Sequence, residues 1–130
     1  MTIPNIFSVG GLYYKTFAQN LTTNESIILT NGPASNQVLQ LQSMIISNVD
    51  GTDSADVTVI LYKNGTGYKI VNNTPVFPKS SLVVVSKDNQ VYLEEGDHFS
   101  VIASADNDLQ AICSYQEISW YRSGSIYIND

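Results

Sequence analysis

Along most of this chain apolar and polar side chains alternate with a period of two, the spacing that sends successive residues of a strand to opposite faces of a sheet. The clearest stretch is 82–104, LVVVSKDNQVYLEEGDHFSVIAS, where two strand-like runs flank a short third one and Glu94-Glu95-Gly96-Asp97 makes a turn. In its last run Phe99, Val101 and Ala103 face one way, and His98, Ser100 and Ser104 the other. Before it, residues 12–19 (LYYKTFAQ) form an aromatic, β-prone first strand. Residues 24–30 (NESIILT) form a second, stopped by Asn31-Gly32-Pro33. Residues 37–49 place Leu39, Leu41, Ile45, Ser47 and Val49 on one face, with Gln40, Gln42 and Asn48 among the residues opposite. That length calls for a bulge or for two short strands.

In residues 56–64, Val57, Val59 and Leu61 stand against Thr58, Ile60 and Tyr62. Asn64-Gly65 then predicts a tight hairpin, because both residues tolerate the positive φ of a primed turn, and 67–72 returns. Pro75 and Pro78 bracket Val76 and Phe77 and confine that segment to a sheet edge. Residues 109–118 put Leu109, Ala111, Cys113 and Tyr115 on one face. No segment fits a 3.6-residue period better than a period of two. The expected fold is all-β: one antiparallel two-sheet β-sandwich of eight or nine strands, jelly-roll-like, with an immunoglobulin-like Greek key as the alternative. Residues 12–118 form that domain, 1–11 an extended N-terminal arm, and 119–130 (SWYRSGSIYIND) an aromatic C-terminal arm or a closing strand.

Composition adjusts this picture. Hydrophobic residues make up 43% of the 130 and charged residues only 14%, so Ser, Thr, Asn, Gln and Tyr must cover much of the surface. The formal charge is −6, and Lys15, Lys63, Lys69, Lys79, Lys87 and Arg122 are scattered singly, which argues against nucleic acid or an anionic membrane as partner. No apolar run approaches the ~20 residues of a membrane span. The N-terminus lacks the basic and apolar regions of a signal peptide. Cys113, the one cysteine, permits no internal disulfide and, among apolar neighbours, reads as a small hydrophobe.

Few residues have the spacing that chemistry needs. Asp50, Asp53 and Asp56 in DGTDSAD are a weak candidate calcium loop: hard cations want several carboxylates, but this spacing is three and no bidentate Glu follows. Glu94, Glu95 and Asp97 could pair as acid and base, yet Gly96 marks a turn at which neighbouring side chains diverge into solvent. His98 and Ser100 share a strand face while Asp97 lies on the other, so no triad forms, and a lone histidine makes no multi-histidine metal site. The residue pattern therefore implies no catalytic residues, no cofactor and no enzyme. Eight tyrosines supply rings with polar tips, suited to contact surfaces and to sugar platforms, with at least half expected in the core or in cross-strand pairs.

The order of motifs is similar to that of small β-sandwich virion proteins of tailed bacteriophages. The resemblance spans about residues 38–118, through LQSMIISNVDGTDSADVTVILYKNG and SSLVVVSKDNQVYLEEGDHFSVIASADNDLQAICSYQEI. It leans on Ile46-Ser47-Asn48, Leu93, Gly96-Asp97, Ala103-Ser104 and Glu117-Ile118. It implies a structural role in a virion, as a capsid decoration or as a neck or tail appendage, and carries over no catalytic residue. The expected partners are other virion proteins and further copies of the chain, with glycan as partner under the alternative reading, a carbohydrate-binding module of a receptor-binding appendage. Interface candidates are Phe7 in the first arm and Trp120, Tyr121, Ile126 and Tyr127 in the last.

Overall fold

A computed structural model describes residues 9–120, and Phe7, Tyr121, Ile126 and Tyr127 lie outside the described residues. Nine strands follow in chain order: β1 (Val9–Asn20), β2 (Ser26–Thr30), β3 (Gln37–Asn48), β4 (Ala55–Lys63), β5 (Thr66–Val76), β6 (Ser81–Val85), β7 (Val91–Leu93), β8 (His98–Ala103) and β9 (Leu109–Trp120). One sheet runs β1-β9-β3-β6, with β7 also paired to β3; the other runs β2-β8-β4-β5. All pairings are antiparallel. With β6 and β7 sharing the far side of β3 as two halves of one interrupted strand, the chain crosses repeatedly between the sheets, and only β4–β5 is a hairpin within the second sheet. This is the jelly-roll arrangement, not the immunoglobulin-like alternative.

The core lies between the sheets. Leu39, Leu41, Met44, Ile46, Leu109, Ala111 and Cys113 from the first meet Val57, Val59, Phe99, Val101 and Ala103 from the second, each at most 3% exposed. The alternations expected for β8 and β9 hold, as does that of β4 at Val57 and Val59. In β3 the pattern breaks. A register shift between Leu41 and Ser43 inserts one residue, so the inward set passes from Leu39 and Leu41 to Met44, Ile46 and Asn48. Because the side-chain period is two, a single extra residue reverses the facing of everything after it. Ile45, Ser47 and Val49, expected to share a face with Leu39, therefore stand opposite it.

β1 begins at Val9 and β9 ends at Trp120, and those two residues pair. The strands thus extend beyond 12–118, and Trp120 belongs to a strand rather than to an arm. The Asn64-Gly65 hairpin has φ values of 54° and 82°, the two positive angles of a primed turn. Pro75 lies in β5, the edge of its sheet.

Two buried asparagines tie loops to the sandwich. Asn48 Nδ2 donates to the carbonyls of Asp53 (2.9 Å) and Val76 (2.8 Å), while its Oδ1 accepts the Asp50 N–H. Asn31 Nδ2 donates likewise to the carbonyls of Gln37 and Leu93. In both, a side-chain amide supplies backbone pairing where the ladder has ended.

Candidate contact surface

Several of the residues singled out for chemistry have structural work. Asp50 Oδ2 accepts the Asp53 N–H at 3.0 Å, closing its own loop. Among the described residues no group of three His, Cys, Asp or Glu side chains is gathered to hold a metal, so the loop does not bring Asp50, Asp53 and Asp56 together. The acidic turn differs from the solvated one expected. Lys63 Nζ lies 2.6 Å from Glu94 Oε1 and 2.9 Å from Asp97 Oδ2, and Glu95 Oε2 accepts the Asn36 N–H. Asp97 is 2% exposed and its Oδ2 also accepts the Glu94 N–H, capping a turn whose bend Gly96 permits at φ +89°.

On the outer face of the second sheet Glu25 Oε2 accepts hydrogen bonds from Tyr62 Oη (2.6 Å) and Ser100 Oγ (2.5 Å), and these two donors hold its carboxyl below the usual range. Tyr62 in turn is raised, chiefly by the same bond. His98 stacks on Tyr62 with ring centroids 4.5 Å apart. Ser100 thus gives its hydroxyl to Glu25, a partner 75 residues away that spacing within the strand did not signal. Cys113 is fully buried in the core, and burial pushes its thiol up to about 12.

A different feature emerges once strand order is known. The registers of β1, β9, β3, β6 and β7 assign the outward residues of the first sheet to rows. One row is Leu12, Ile118 and Val38; the next is Tyr14, Gln116, Gln40 and Tyr92. A central row holds Thr16, Ser114 and Ser43. Beyond it come Ala18, Ile112, Ile45 and Val83, then Asn20, Gln110, Ser47 and Ser81. Among the described residues, no Asp, Glu, Lys, Arg or His occupies a strand position of this face. Its amides pair with one another: Gln42 with Gln116 at 3.1 Å, Gln40 with Gln90 at 2.7 Å, Gln110 with Asn20 at 2.9 Å. Tyr14 is 71% exposed and Val83 60%, while beside Ala18 a shallow depression of about 260 Å³ is lined by Ala18, Gln19, Asn20, Gln110, Ala111 and Ile112.

Of the tyrosines in the described residues none is fully buried; Tyr115 packs against the core and Tyr62 pairs across strands with His98. On the outer face of the first sheet Tyr14 and Tyr92 share a row but stand at opposite margins, three strand spacings or ~14 Å apart. Trp120, 37% exposed, ends β9, where its N–H donates to the Asn36 carbonyl.

No family model matches this chain, and no curated protein sequence does. The fold has a solved counterpart. A structure from the work "Bacillus endospore appendages form a novel family of disulfide-linked pili" aligns over 93% of this chain and 98% of its own, with a TM-score of 0.54 and 15% identity. At that identity the likeness is one of fold: a small β-sandwich of the same overall build.

Proposed function

We propose that this chain is a non-enzymatic structural subunit that builds a larger assembly through contacts between folded sandwiches. The observation that carries the reading is the charge-free outer face of the first sheet. A monomer surface normally intersperses charges for solubility, whereas contact surfaces are depleted of them at their centres and enriched in Tyr and Trp. Here the outward strand positions across the whole width of a sheet lack charge in a chain with a net charge of −6.

Two settings call for such a subunit. One is the tailed-phage virion implied by the sequence resemblance, the other a surface appendage, the setting of the structural neighbour. The residues that carry the resemblance do not choose between them, because their work is to shape the fold: Asn48 anchors a loop, Gly96 bends a turn and Asp97 caps it. In one respect this chain must differ from a disulfide-linked polymer. Its one cysteine is buried, and one thiol per chain could join subunits in pairs at most. A polymer built from it would therefore not be held together by disulfides through Cys113.

Light scattering and negative-stain imaging of the purified full chain test this. Multimers or filaments that persist in reducing agent are expected; a monomer of 14.3 kDa at every concentration would overturn the proposal. Antibody labelling of particles and of fibres then separates the two settings.

A further inference from the structure

Resting on that reading, the geometry points to a second copy of this chain as the occupant of the charge-free face, packed sheet to sheet about a two-fold axis lying along the Thr16–Ser114–Ser43 row.

Charge supplies the first argument. Two copies each carrying −6 repel, so identical molecules approach best through a face without acids. A two-fold contact also sets each residue on the axis against its own counterpart, which suits few side chains. A carboxylate or an ammonium would meet a like charge. A hydroxyl both donates and accepts, so it can pair with itself. The central row offers only hydroxyls, with Thr16 Oγ1 and Ser114 Oγ already 3.4 Å apart within one copy.

Shape supplies the second. An in-plane axis along that row, perpendicular to the strands, carries the Tyr14 row of one copy over the Ala18 row of the other. Tyr14, the most exposed large apolar side chain among the described residues, thereby falls over the depression beside Ala18 and Ile112, and symmetry repeats the fit. The prominence and the hollow lie two residues to either side of Thr16 on the same strand, as a self-complementary surface requires.

Area supplies the third. Four strands at ~4.8 Å and twelve residues at ~3.4 Å give a face on the order of 800 Å², near the roughly 800 Å² per partner of stable specific interfaces.

The test uses the full chain. Ser114→Lys places two ammonium groups against each other at the axis and should weaken self-association about thirtyfold or more, with the melting transition retained. Tyr14→Arg, at an exposed position, makes the same test should Ser114→Lys fail to fold. Ser114→Cys should be captured as a covalent dimer by a short bis-maleimide, whereas Ile102→Cys on the second sheet's outer face should not. An assembling wild type whose association survives the charged variants, or which cross-links through Ile102→Cys instead of Ser114→Cys, overturns this face and leaves the structural-subunit reading standing. A wild type that is monomeric at every concentration overturns both.

Discussion

Asp97 Oδ2 accepts the backbone N–H of Glu94 at 2.9 Å, from a side chain that is 2% exposed. The same oxygen receives the Lys63 ammonium, so one buried carboxylate closes the turn and joins it to β4. Asp97→Ala leaves the Glu94 N–H without its acceptor. The expected cost is about 2 kcal/mol, read as a lower denaturation midpoint at unchanged slope.

Asn48 gives a sharper contrast. Asn48→Ala orphans the carbonyls of Asp53 and Val76 together with the Asp50 N–H, and should cost about 2–4 kcal/mol. Asn48→Asp keeps the shape but turns a carboxylate oxygen toward two carbonyl oxygens, so it should be worse still. An Asp variant as stable as the Ala variant would contradict this hydrogen-bond assignment.

The Glu25 carboxyl supplies a pH dependence. Its pKa in the folded chain lies below the ordinary 4.5 because Ser100 and Tyr62 donate to the ionised form. The stabilisation it gives is therefore complete above 4.5 and is lost as pH falls through the lower folded value. Wild type should exceed Glu25→Gln in stability at neutral pH, the gap closing as pH drops below about 4.5. Paired melting curves at pH 7 and pH 3 measure it.

Cys113 should ignore thiol reagents at pH 8 until the chain unfolds, since burial holds its thiol up at about 12 and no solvent path reaches it. Labelling that proceeds at the global unfolding rate is the expected result. Fast labelling of the folded chain would show that β9 opens locally.

Most of the strand pattern was legible because burial on one face imprints a period of two, and β8 and β9 keep Phe99, Val101 and Ala103, and Leu109, Ala111 and Cys113, on the inward face. β3 shows where that reading stops. The need for a bulge could be inferred from its length, but its position could not, and placing it one way or the other decides whether Ile45 or Ile46 enters the core. The contacts of Asn31 and Ser100 were invisible, because their partners lie up to 75 residues away in sequence. The charge-free face was half visible. Scarcity of charge was plain in the composition, but only the order β1-β9-β3 shows that Tyr14, Gln116 and Gln40 form one row.

The place of β9 in that order also bears on how the chain is made. β9 is the last of the nine described strands to leave the ribosome, yet it is the one that must enter between β1 and β3. Until it arrives, β1 has no partner in its sheet, and the inner edge of β3 lies open. Synthesis therefore holds the first sheet incomplete until β9 emerges, and closure is a single insertion that spans about a hundred residues of sequence. A ribosome stalled anywhere inside β9 would present two bare strand edges to other chains. For the self-associating subunit proposed above, the interval before β9 inserts is when unproductive pairing competes most directly with folding.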